Sequence, residues 1–170
     1  MGKSTLNKEK FVNAILYITK ECSSIPHFGK TDLYKTLYFS DFDYYEMYEE
    51  HLTGESYYRI QNGPAPSHFS GIAKEMIEKN QLSRCKLPYH GYRLEKYIPQ
   101  TEPDLSLFEA NEIKVLDSVI EKISGMNATQ VSEYSHQDMP YKATKPNRKI
   151  DYELVFYRDP MFSVREYKDD

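Results

Sequence analysis

The feature that most constrains how this 170-residue chain can fold is a carboxylate on the apolar side of a long helix. From residue 31 to about residue 50 the sequence contains neither Gly nor Pro, and Thr31 or Asp32 is suited to cap the start. At about 100° per residue, Leu33, Tyr34, Leu37, Tyr38, Phe42, Tyr44, Tyr45 and Tyr48 share one half of the helical wheel. Lys35, Thr36, Asp43 and Glu46 take the other, polar half. Asp41 falls near the centre of the apolar arc, among Leu37, Tyr38, Tyr44 and Tyr45. An ionised carboxylate is costly to bury unless it is paired or hydrogen-bonded, so a fold that buries this arc must bring donors to Asp41 from elsewhere in the chain. Such a group serves either as a structural acceptor or, with its pKa shifted, as an acid or base. No partner acid, base or metal ligand accompanies it in the sequence, which favours the structural role.

The other elements are shorter. Phe11, Ile15, Ile18 and Cys22 recur at helical spacing behind Asn7, a suitable N-cap, and predict a helix over residues 8–22. After Gly54, residues 56–61 (SYYRIQ) read as a short strand, and Asn62-Gly63-Pro64-Ala65-Pro66 as an ordered turn or extended connector. Ser67 is placed to cap a third helix with Phe69, Ile72, Ala73, Met76 and Ile77 on its core face, ending near Gln81. Residues 82–87 and 92–98 flank Pro88-Tyr89-His90-Gly91 as a hairpin, and residues 100–104 are a linker. Ser106 with Glu109 forms a capping-box pattern for a fourth helix. Its core face is Ile113, Leu116, Ile120 and Ile123, and Gly125 is expected to end it in the left-handed conformation. Asn127 with Gln130 opens a short fifth helix to about Tyr134 that Pro140 prevents from continuing. Residues 141–149 are basic and loop-like, residues 151–157 a last short helix, and residues 166–170 a charged, partly disordered tail. The resulting class is α+β and predominantly helical. It has five or six helices and a small antiparallel sheet formed by the short strand and the hairpin, in one domain over residues 1–165.

Composition excludes several functions. No apolar run approaches the roughly 20 residues a membrane span requires, and the Lys-rich first ten residues lack a secretion signal. Leu6 stands where a myristoylation signal needs Ser or Thr. Cys22 and Cys85 are too few and too far apart for a disulfide framework or a cysteine zinc site, as expected of a cytoplasmic protein. The five histidines lack metal-ligand spacing. Two phosphate-loop echoes, Gly2-Lys3-Ser4 and Gly29-Lys30-Thr31, fail for want of the earlier Gly; Ser24 holds that place before the second. Ser135 and His136 are neighbours on a helix, which point about 100° apart, so neither activates the other. No catalytic residue, metal or cofactor is therefore expected. The net charge of −4 argues against a general nucleic-acid coat. A basic hairpin (Arg84, Lys86, Arg93, Lys96) after a helix is the order of a winged-helix DNA reader, but Glu75 and Glu78 on that helix would repel phosphate.

The motifs, taken in order, carry a resemblance. Lys35-Thr36-Leu37-Tyr38-Phe39-Ser40-Asp41, then Thr53-Gly54 with Tyr57, then Gly63-Pro64-Ala65-Pro66, then Ser135-His136 with Tyr141, resemble the Panacea domain of SocA-like antitoxins. Thr36 and Tyr141 depart from the pattern, where Leu and Trp are expected. The resemblance implies a prokaryotic or phage protein that neutralises a cognate, neighbour-encoded toxin by direct binding. One branch of the family instead delivers its toxin to a Clp-type protease. It further implies that Lys35, Tyr38, Asp41, Thr53, Gly54, Tyr57, Gly63, Pro64, Pro66, Ser135, His136 and Tyr141 are structural or partner-binding. The 16 tyrosines allow two readings, an interface rich in Tyr or an aromatic core around Asp41.

Overall fold

In a computed structural model, which describes residues 5–168, the chain forms α1 (Lys8–Glu21), α2 (Lys30–Tyr48), β1 (Tyr57–Ile60), β2 (Gly63–Pro66), α3 (Phe69–Glu78), β3 (Leu82–Tyr89), β4 (Tyr92–Pro99), α4 (Ala110–Ser124), α5 (Ala128–Gln137) and α6 (Met139–Lys142). Short 3-10 turns occupy Leu105–Leu107 and Tyr152–Tyr157. The predominantly helical α+β class is as expected from the sequence. The echo at residues 2–4 and the last two tail residues, 169 and 170, lie outside the described residues.

α1 begins where its cap predicts, with the Asn7 side chain accepting from the Lys10 amide, and it buries Phe11, Ile15, Ile18 and the following Cys22. α2 starts earlier than expected: Gly29 is its N-cap, and Asp32 is buried in the first turn instead of capping it. The larger departure concerns its polar half. Lys35, Thr36, Asp43 and Glu46 are all buried, because α2 is covered on every side by α1, α4, α5, β2, β4 and the 3-10 turn at 152–157. A wheel sorts residues by polarity but cannot reveal cover supplied by segments 100 residues away.

The sheet divides in two. β1 pairs antiparallel with β2, Tyr57 opposite Pro66 and Ile60 opposite Gly63, so the proline-containing connector is itself a strand. Proline is tolerated there because an edge strand can spare a donor. β3 and β4 form the predicted hairpin around His90 and Gly91, both at positive φ as a two-residue turn requires. The short strand therefore does not join the hairpin.

Three further caps differ from the sequence reading. Ser67 does not cap α3; the buried Glu55 carboxylate accepts from the His68 amide at 2.8 Å, and Ser67 Oγ sits 3.3 Å from the same carboxylate. An ionised acceptor forms the stronger bond. The capping box of α4 is Glu109 with Glu112, one turn later than expected, because Asp104 captures the Ser106 amide and hydroxyl into the preceding 3-10 turn. Gly125 ends α4 in a right-handed conformation, not a left-handed one. The core face of α4 is also rotated: Val115, Leu116, Val119, Ile120 and Ile123 are buried, while Ile113 lies at its edge. The Asn127–Gln130 box holds as predicted, α5 runs on to Gln137, and Pro140 sits in the first turn of a new helix, α6, where its missing N–H costs nothing. The element at 152–157 is a 3-10 turn instead of an α-helix.

The C-terminal segment closes over α2 through one guanidinium. Arg158 Nε and Nη2 donate to the two Asp138 oxygens at 2.9 and 3.0 Å, and Nη1 to Asp43 at 2.8 Å and Glu46 at 3.0 Å. Glu46 in turn accepts from Val164 N at 3.1 Å and from the Tyr167 hydroxyl at 2.8 Å, tying part of the expected tail to the body. Burial pushes the Asp43 carboxyl up to about 6 despite the opposing Arg158 charge. Arg158→Met leaves three buried carboxylates without their cation, and we expect it to cost about 3–5 kcal/mol in urea unfolding. A loss below about 1 kcal/mol would mean that the cage is solvated.

Candidate functional site

The family-motif residues meet in two places on α2. At the first, the segment after α2 returns and wraps Asp41. Thr53 N donates to Oδ1 at 2.7 Å and Gly54 N at 3.3 Å, while the Thr53 and Tyr57 hydroxyls donate to Oδ2, each at 2.6 Å. Asp41, Thr53 and Tyr57 are almost wholly buried. Gly54 makes the return possible: its φ is +78°, and a Cβ there would lie 2.1 Å from the Thr5 carbonyl oxygen. Tyr38, also buried, packs edge-on against Tyr57 and donates to Asp138 at 2.7 Å, which connects this site to the Arg158 cage. Burial raises the Asp41 carboxyl to about 6, with the hydrogen bonds from Thr53 and Tyr57 opposing it.

At the second, α5 and α6 fasten the β1–β2 turn. The Tyr141 hydroxyl donates to the Ile60 carbonyl at 2.5 Å, and His136 Nε2 lies 3.0 Å from the Gln61 carbonyl oxygen. The two rings meet edge to face at 4.9 Å. Arg59 lies over the Tyr141 ring at 4.8 Å and donates to the Thr144 carbonyl at 2.7 Å. Tyr141, where the family pattern expects Trp, thus reaches the turn through a phenolic hydroxyl. Gly63, at φ +127°, lets β2 approach α2 and α5: a Cβ there would be 3.0 Å from Lys35 Cε and 3.6 Å from Ser135 Oγ. Pro64 and Pro66 are buried beside it.

Ser135 and His136 are not joined. Ser135 Oγ donates to the Ser132 carbonyl at 3.0 Å, and His136 Nδ1 lies 2.6 Å from that same oxygen. Among the described residues, no group of three or more His, Cys, Asp or Glu side chains is placed to hold a metal. The hairpin is less basic outward than its sequence suggests, because Lys96 turns inward and donates to the Ile25 and Phe28 carbonyls.

The antitoxin SocA-like, Panacea domain model matches residues 33–142, well over half of the chain and the span that holds both clusters. The chain belongs to the SocA-like antitoxin family. No curated protein and no solved structure matches it. Within this Panacea domain every motif residue singled out from the sequence lies at the Asp41 wrap, the fastened turn or the adjoining Lys35. Sequence reasoning missed Asp138, Glu55 and Arg158, which bind motif residues or their neighbours; Arg158 lies beyond the matched region. Their signal was weak, since each is a common charged residue in a short or irregular segment. Among the described residues no helix is long and apolar enough to cross a membrane.

The wrap has a pH signature. The folded protein keeps the Asp41 proton up to about pH 6, whereas an unfolded Asp releases it near about 3.9, so between these values the folded state holds more protons. Rising pH therefore removes stability in that window. Relative to Asp41→Asn, which cannot titrate, wild-type unfolding free energy should fall by up to about 1.4 kcal/mol per pH unit from pH about 4 to about 6 and level off above. Urea unfolding across this range tests it; a constant difference would show that Asp41 titrates normally.

Proposed function

We propose that this protein is an antitoxin that neutralises a partner toxin by binding it directly. The observation that carries the reading is the match to the SocA-like antitoxin domain over residues 33–142. The arrangement of the motif residues fits a binding role better than catalysis. Asp41 spends its oxygens on four internal donors, so no lone pair is presented to a substrate, and it has no acid or base partner.

The same arrangement bears on where a toxin would dock. Asp41, Thr53 and Tyr57 are enclosed in the fold and unavailable to a partner, so we look for the contact surface among more exposed side chains. The tyrosines divide accordingly. Tyr38, Tyr44, Tyr57, Tyr97, Tyr141 and Tyr152 are buried, and Tyr157, Tyr167, Tyr92, Tyr58 and Tyr48 are exposed. Tyr157 at 71% and its near neighbour Met161 at 79% are the most exposed large apolar side chains among the described residues. Aromatic and Met side chains are enriched at protein interfaces.

Co-expression with the toxin encoded beside it tests the reading. Growth should be rescued and the two proteins should co-purify, with toxin levels maintained. Loss of the toxin that depends on a Clp protease would instead establish delivery to the protease. Absence of both rescue and co-purification would remove the antitoxin role.

A further inference from the structure

Lys35 is the least explained buried charge among the described residues. Its side chain sits in the second turn of α2 with only 5% of the residue exposed. Yet the ammonium makes no hydrogen bond and no ion pair with any described residue, unlike the other buried cations: Lys96 is held by two carbonyls and Arg158 by three carboxylates. Among the described residues, His51 Nδ1 is the sole fully enclosed side-chain nitrogen or oxygen without a partner. Lys35 Nζ therefore keeps an opening to solvent, and the opening is the cleft that it lines.

That cleft, about 360 Å³, lies between the start of α2, β2 and Ser70 of α3. Its size suits a small ligand or one side chain. Tyr34, Ile60, Pro64, Ala65 and Pro66 supply apolar walls, and Lys30 stands at the side. Lys30 is only loosely engaged, 4.0 Å from Glu95 and 5.6 Å from the Tyr34 ring centre. Gly63 is part of the construction, since a Cβ there would press on Lys35 Cε and lie 3.9 Å from Nζ. A cation taken out of water without a partner is unfavourable, and burial accordingly lowers the Lys35 pKa, with Asp32 one turn away opposing the shift.

We propose that this cleft binds a carboxylate with a short apolar body, its charge held by Lys35 and its body by Tyr34 and the prolines of β2. A monoanion matches one buried ammonium. A dianion such as phosphate calls for a second close cation, and Lys30, at the side of the cleft, is drawn toward Glu95 at 4.0 Å.

The test is a titration of the full chain with sodium butyrate at constant ionic strength, followed through the backbone amides of Gly63 and Ala65 and the ¹³Cε signal of Lys35. Saturable shifts are expected at all three, together with a rise in the Lys35 pKa. In Lys35→Met, shown to be folded by its thermal transition, butyrate affinity should fall at least about tenfold. If that variant does not fold, the Lys35 ¹³Cε signal and pKa in the wild-type protein decide alone. A tripeptide with a free C-terminal carboxylate, compared with its amide, separates the sources. Binding of the free acid places the ligand on a protein chain end, and binding of butyrate alone makes it a small metabolite. Shifts no larger than those with chloride, saturation by phosphate but not butyrate, or unchanged affinity in a folded Lys35→Met each overturn the proposal.

Discussion

Asp41 and the four donors around it form the interaction on which the rest of the structure depends. A carboxylate at the centre of a buried helix face is tolerable only if the groups that replace water are held in place. Here they come from consecutive backbone amides, a hydroxyl on the same turn and a tyrosine three residues beyond the glycine. Meeting that demand fixes where the chain goes after α2. It must double back within a few residues, which forces the positive φ at Gly54 and delivers β1 alongside the helix. The stacked aromatic rings of Tyr38, Phe42 and Tyr152 then fill the space that this return encloses.

Because α2 is central, each later segment is secured to it or to what it already holds. The β1–β2 turn is fastened from the far side by His136 and Tyr141, and the C-terminal segment by Arg158. These fastenings are polar and buried, so their worth lies more in specifying one arrangement than in net stability, since desolvation offsets much of the Coulomb attraction. The design makes two carboxylates of α2 sensitive to protonation. Asp41 and Asp43 are both raised by burial, one resisted by hydroxyl and amide donors and the other by a guanidinium.

In this member of the SocA-like family the residues that carry the signature are largely internal. The signature residues are occupied within the fold, and Lys35 is the exception: it shares the buried position of the others, yet its charge is directed at a cleft and not at a partner in the chain.

The sequence by itself determined most of the helices, the hairpin, the caps at Asn7 and Asn127 and the oddity of Asp41, because these follow from periodicity and from chemistry within a few residues. The α5 capping box and the two-residue turn at His90-Gly91 are legible in that sense. The partners of Asp41 were named only as a requirement; Thr53 and Tyr57 entered through the family resemblance, with no geometry attached. The tertiary structure alone decided that the polar half of α2 is buried, that Gly63–Pro66 is a strand, and that Arg158 pairs with Asp43, Glu46 and Asp138. Each depends on contacts between residues far apart in the chain. Local pattern shows that a charge sits on a helix, whereas only packing shows what covers it.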